Sequence, residues 1–376
     1  LDHNHDGFLD MPKNTNVNLL NRWYVKTDDY TGQFLVRGLY DRRQGGQTRE
    51  ALSLSPFASS PYHIDLQTWR VDGFMKNGYV FNHDLGTSIG IIASASYHNQ
   101  QNTYGLRQWN AAQTNAYLNA IFQTSFDDSA SDPWDNHQHK LSTGVSFNYD
   151  GYNEELLFAS SLSPTYNLNR WEVTPGVFAE YTYTYKDKLT LLAGIREDYS
   201  THYGFFTTPR MNVRYAPFEW WTLRGSVGLG YRTPNAIADN AAFLASSRVY
   251  DFDVTTLAQE RSMNTGLSTV FYIPMGKREL QLSGEYYYTK FLDGVIADMD
   301  RNLHGITLYN MHDVDGAQYF SHNWQVEATM EILRGWTMTA AFRYTDVKQT
   351  TFNTTANEYQ LRDKPLQNKF KGIITT

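Results

Sequence analysis

With 376 residues, 41% hydrophobic and 15% aromatic but only 19% charged, the chain is long enough for two soluble domains or for one large β-barrel. It holds no run of about 20 apolar residues, which excludes a helical membrane protein but not a barrel, whose strands show only every second residue to lipid. Cysteine is absent, so disulfide and thiol chemistry are excluded, and a net charge of −7 argues against nucleic acid as a partner.

The first element is a motif. Asp2, Asn4, Asp6, Gly7 and Asp10 match the first nine positions of a calcium loop, D-x-N-x-D-G-x-x-D. Calcium needs several hard oxygens at close range. A loop turned at Gly7 can bring Asp2, Asn4, Asp6, the Phe8 carbonyl and Asp10 to one point. The twelfth position is Lys13 instead of the usual Glu, so a bidentate ligand is missing. The alternative is an acidic external turn that holds no ion.

Period-2 alternation then recurs along almost the whole chain. Leu141, Val145 and Phe147 alternate with Ser142, Gly144 and Ser146, and Trp324, Val326, Ala328 and Met330 alternate with Gln325, Glu327 and Thr329. Such alternation marks strands with one apolar and one polar face. It predicts strands at 17–26, 32–41, 66–76, 86–97, 116–126, 138–148, 173–184, 189–199, 208–216, 220–230, 261–272, 278–291, 317–330, 336–346 and 366–376, about 15 in all.

Three features separate a membrane barrel from a soluble sandwich. Ten residues at about 3.3 Å each, tilted by roughly 40°, span about 25 Å, the height of a lipid-facing band. Tight turns near 185–188, 217–219, 273–277 and 331–335 alternate with long polar stretches near 42–65, 149–172, 231–260, 292–316 and 347–365. Tyr183, Tyr185, Trp220, Trp221, Tyr272 and Trp336 lie beside the tight turns, where a lipid–water boundary favours rings with a polar tip. The expected fold is all-β: a transmembrane antiparallel up-and-down barrel. A charge facing lipid at mid-depth costs about 2–4 kcal/mol, so Arg196, Arg214, Arg224, Glu285, Glu327 and Arg343 should face the lumen. Trp324, Val326, Ala328, Met330, Trp336, Met338, Ala340 and Phe342 should face lipid.

Particular phrases carry the reading further. Thr208-Pro-Arg-Met-Asn-Val-Arg-Tyr-Ala216, a tight turn, and Leu223-Arg-Gly-Ser-Val-Gly-Leu-Gly-Tyr-Arg-Thr-Pro-Asn235 resemble consecutive strands of the TonB-dependent receptor barrel. Residues 176–185, Ala193 to Asp198 and Glu285 to Phe291 are similar to it too. The resemblance implies about 22 strands, of which 15 are present, with an N-terminal plug and the closing strands lying outside residues 1–376. It implies import of a scarce, bulky nutrient (an iron chelate, cobalamin or an oligosaccharide) across a Gram-negative outer membrane, with TonB and the plug as partners beside lipid. No enzyme activity is expected, since neither G-x-S-x-G nor H-E-x-x-H occurs. The rivals are a passive porin or adhesin and a barrel-embedded hydrolase. His137 and His139 could hold a metal but read better as a surface pair.

Irregular external loops on a rigid scaffold are where binding usually resides. Substrate contacts are therefore expected from Phe57, Tyr62, His63, Tyr152, Tyr166, Asn167, Asn240 and Phe243. Calcium is the one cofactor expected. The chain opens on Leu1-Asp2 and ends inside a strand, so it is expected to be a piece that forms no stable pore by itself.

Overall fold

The computed structural model describes residues 2–49, 51, 61–126, 137–158, 165–251, 257–302, 304–364 and 368–376. Fifteen long strands form the wall: β1 Lys13–Lys26, β2 Tyr30–Gly46, β3 His63–Asn82, β4 Thr87–Tyr104, β5 Arg107–Ser125, β6 His137–Phe158, β7 Arg170–Tyr185, β8 Leu189–Ser200, β9 Arg210–Phe218, β10 Trp221–Arg232, β11 Glu260–Met275, β12 Arg278–Asp293, β13 Tyr319–Leu333, β14 Trp336–Asn353 and β15 Phe370–Thr375. Each pairs antiparallel with its sequence neighbours, as an up-and-down meander requires. Three short strands, Tyr166–Asn167, Gly204–Thr207 and Glu358–Asp363, extend this to an 18-stranded sheet, while Val249–Asp251, Val295–Asp298 and Gly305–Asn310 form a separate small sheet. Among the described residues β1 and β15 pair only with β2 and β14.

All 15 predicted strands are present, but several outgrow their predicted bounds. Residues 98–115, expected outside strands, complete β4 and β5, which meet in the two-residue turn Gly105-Leu106. Strand β6 runs for 22 residues to Phe158. These extensions carry Asn and Gln on both faces, so the apolar alternation fades. The ladder hydrogen bonds that define a strand do not depend on it. The stretches expected as loops near 231–260, 292–316 and 347–365 likewise contain short strands of their own.

Register fixes the two faces. Val145 stands opposite Val177, Leu118 opposite Phe147 and Val326 opposite Phe342. All six are between 41% and 56% exposed. Trp324 and Trp336 are exposed on this outer surface too, as expected, and Ala328, Met330, Met338 and Ala340 share its register. Phe218, Trp220, Trp221 and Phe271 stack at the end bearing short turns, a ring girdle of the kind that seats a barrel at the lipid boundary.

The opposite face is polar. Every one of Arg196, Arg214, Arg224, Glu285, Glu327 and Arg343 falls on it by register. Arg196 donates to both oxygens of Asp198 (2.6 and 2.5 Å) and to Ser146 Oγ, and Asp72 is held between Arg37 and Arg70. Pairing removes much of the cost of the half-buried charges.

Candidate functional site: the mouth of the barrel

Beyond the apolar band, the inner faces of β5 and β6 carry Trp109 and Leu156, which stand opposite each other in register. Side chains from distant loops pack on them: Ala236, Ile237, Leu244, Tyr250, Ile306 and Leu308 complete one buried cluster. The chain after β10 therefore folds inward over the lumen instead of standing in solvent. Ala236 and Ile237, with Ala241 and Leu244 of the short 3-10 segment Ala238–Ala245, give it the apolar side chains that pack there.

Hydrogen bonds strap this segment to the far wall. Arg170 Nη1 donates to the Pro234 carbonyl (2.6 Å), Asn235 Nδ2 to Glu154 Oε1 (2.5 Å) and Thr233 Oγ1 to Glu172 Oε2 (2.8 Å). Arg107 Nη1 donates to the Ser246 carbonyl (2.5 Å). At the near wall Arg232 pairs with Asp239 and Glu260. Val249–Asp251 lies parallel to Gly305–Thr307, so the loops after β10 and β12 form one cap. Tyr309 Oη joins that cap to β14 through the Thr350 carbonyl (2.6 Å).

Three cavities surround the inward segment, and Asn235 lines all of them. One of about 350 Å³ lies between Tyr152, Glu154, Arg170, Glu172 and Tyr203. A second of about 570 Å³ borders Arg232, Asn240, Phe243 and Lys364. A third of about 480 Å³ sits against β4 and β5. These volumes fall in the range of small-molecule sites. Glu154 is 4% exposed, and burial raises its pKa, partly offset by the Asn235 hydrogen bond and Arg170. Arg170 lies over the Tyr152 ring, 4.4 Å from its centroid. The mouth can thus hold a ligand through buried polar groups and rings at once.

The structure brings together some predicted contact residues and scatters others. Tyr152 lines two of the cavities and Asn167 one. Asn240 and Phe243 line the largest, although Asn240 Nδ2 also donates to the Ala236 carbonyl. Tyr166 packs on the buried cluster and its hydroxyl donates to the Tyr250 carbonyl. Tyr62 Oη donates to the Ala245 carbonyl, and its ring covers Gly105, where a Cβ would lie 2.5 Å from Tyr62 Cε2. His63 is exposed at the start of β3, away from the cavities. Phe57 lies outside the described residues. His137 and His139 bond to Tyr183 and Tyr181.

The Asp2–Asp10 loop turns at Gly7, φ 81°. Its oxygens accept from its own backbone: Asp2 Oδ2 from Gly7 N (2.9 Å), Asn4 Oδ1 from Asp6 N (3.3 Å), Asp6 Oδ1 from Phe8 N (2.8 Å) and Asp10 Oδ2 from His3 N (2.6 Å). Among the described residues no three His, Asp or Glu side chains come together as a metal cluster.

Sequence reasoning missed Glu154, Arg170, Glu172 and Asn235, and it missed the inner face of 98–115. The signal was there: Gln100, Asn102 and Tyr104, then Arg107, Trp109 and Ala111, keep a period of two on both sides of Gly105-Leu106.

Solved structures share this architecture at low identity. The unliganded ferric citrate transporter FecA matches with a TM-score of 0.63 and 11% identity over 97% of this chain and 55% of that one. The alcaligin receptor FauA from Bordetella pertussis gives 0.60 and 11%, over 96% and 56%. The FrpB iron transporter from Neisseria meningitidis gives 0.59 and 13%, over 91% and 54%. The chain thus spans little more than half the length of each. No curated protein matches it. The family model for the TonB dependent receptor-like beta-barrel matches residues 4–371, a family of outer-membrane receptors and transporters. With its meander, its two-faced wall and that match across nearly its whole length, the chain belongs to the TonB-dependent receptor beta-barrel family.

Proposed function

We propose that this chain is the wall and external cap of a Gram-negative outer-membrane importer for a bulky, scarce nutrient: an iron chelate, cobalamin or an oligosaccharide. In the complete receptor a plug fills the lumen below the cap and TonB supplies the energy. The observation that supports this most is the inward-strapped segment at Asn235, with three cavities around it. A passive pore, an adhesin and a hydrolase are not favoured, because the family match runs over residues 4–371. The test is nutrient uptake by cells carrying the full receptor, with the cap loops at 233–259 and 294–318 shortened one at a time. Uptake should fall with each and should require TonB. Unchanged uptake in receptors still inserted in the membrane would remove the cap from the binding role.

Calcium at the Asp2–Asp10 loop is part of the same proposal. It is supported by the positive-φ Gly7 at the sixth position and by Asp2 Oδ1, which is inaccessible and meets no partner. Calcium should raise the melting temperature of the receptor, and Asp6→Asn should abolish the rise. No rise in the parent would remove calcium from the account.

A further inference from the structure

Three polar atoms on the inner faces of β4 and β5 are inaccessible to solvent and meet no hydrogen-bond partner: His98 Nδ1, Asn102 Oδ1 and Trp109 Nε1. Asn102 and Trp109 are 6% and 4% exposed, and they stand opposite each other across the β4–β5 ladder. An unmade hydrogen bond on a buried group is costly, and two such groups side by side, one acceptor and one donor, are unusual in a native protein. All three residues line the cavity of about 480 Å³ at the barrel mouth.

The rest of that cavity narrows the chemistry. Its other polar groups include the uncharged amides of Gln113 and Asn235 and the Tyr152 hydroxyl, while Ala238 and Ala241 of the inward segment leave space opposite β4 and β5. Its one cation, Arg43, is already paired with Asp41 (2.9 Å), and Glu154 adds a negative charge. Asp41 and Glu154 together outweigh Arg43, so an anionic chelate would meet a net negative lining. A carboxamide presents an N–H and a C=O side by side, and a hydroxyl donates and accepts through one oxygen. Either can satisfy Asn102 Oδ1 and Trp109 Nε1 together once the lining at Ala238 and Ala241 gives way, since neither atom touches solvent in this conformation.

We infer that this cavity is a recognition subsite for an uncharged carboxamide or hydroxyl group on the imported nutrient. The inference rests on the importer reading and deepens it. It also explains why the two orphaned atoms persist: sites kept for a ligand are left unsatisfied without it.

The experiment uses the full receptor with Trp109→Phe, which removes the Nε1 donor together with part of the ring, and Asn102→Leu, which removes the amide that carries the Oδ1 acceptor. Two quantities are read: the melting temperature without ligand, and binding of cyanocobalamin (uncharged, rich in carboxamides), maltohexaose (uncharged, rich in hydroxyls) and ferric citrate (anionic). Asn102→Leu should melt at or above the parent, because it replaces an unsatisfied polar group with an apolar one of similar shape; Trp109→Phe also opens a cavity in the buried cluster, so only its binding is read. The parent should bind one of the two neutral probes, and that probe identifies which group is read. Each variant should weaken that binding by about tenfold, the scale of one hydrogen bond. Ferric citrate should not bind through these residues. Lower melting of Asn102→Leu would assign its acceptor to a structural partner and overturn the proposal. So would binding of neither neutral probe, neutral-probe binding indifferent to both variants, or ferric citrate binding that depends on them. TonB-dependent uptake that survives both variants would leave the importer reading standing while this subsite falls; uptake of no nutrient through TonB would sink the importer reading itself.

Discussion

Gly176 on β7 is the most sharply constrained position on the inner wall. A Cβ built there would collide with Asp198 Oδ1 and lie 2.7 Å from Arg196 Nη2. Asp198 is 1% exposed, and its two oxygens are held by the Arg196 guanidinium. In Gly176→Ala the carboxylate has to leave that fork. Breaking a buried pair while both charges remain costs about 3–5 kcal/mol. For a urea dependence of about 3 kcal/mol/M or more, as suits a large chain, the unfolding midpoint should fall by up to about 1–1.7 M. The assay is urea unfolding in detergent followed by tryptophan fluorescence, with Gly225→Ala as control, since a Cβ there meets nothing within 4 Å. A double-mutant cycle makes the test specific. With Asp198→Ala already in place, Gly176→Ala should cost less than about 1 kcal/mol, because the colliding group is gone. Equal midpoints for Gly176→Ala and Gly225→Ala, or additive losses in the cycle, would refute the reasoning.

Ile306 is fully buried in the cap cluster, so Ile306→Ala should cost about 2–5 kcal/mol; limited proteolysis should then cut both cap loops while the barrel persists. Burial raises the Glu154 pKa at the extracellular end of β6, so the folded state binds that proton more tightly than the unfolded one. Stability from this group is therefore present at low pH and lost as pH rises through the raised pKa, and Glu154→Gln should raise the unfolding midpoint at pH above neutrality, with the gain vanishing in acid. Because β1 and β15 pair on one side only among the described residues, the 376-residue chain alone should give no stable single-channel conductance in planar bilayers, since each unpaired backbone group in lipid costs several kcal/mol.

Most of the wall was legible from residues alone. Strands facing lipid on one side and a lumen on the other must alternate, and Val145, Phe147, Val326 and Phe342 do so wherever the chain crosses the apolar band. That same rule placed Arg196, Glu285 and Glu327 inward, because lipid permits nothing else. The extensions of β4, β5 and β6 escaped it because water on both faces removes the pressure to alternate, while the backbone ladder continues regardless. The mouth was legible only in part. Tyr152, Asn167, Asn240 and Phe243, expected as loop polar and ring residues, line the cavities, but Glu154 meets Asn235 across 81 residues of sequence and Arg170 meets Pro234 across 64. No local pattern encodes such a meeting. Composition and periodicity determine which face of each strand is apolar, since that depends on a residue and its solvent. Which buried donor is left facing which acceptor depends on how distant loops fold over the lumen, and only the tertiary structure decides it.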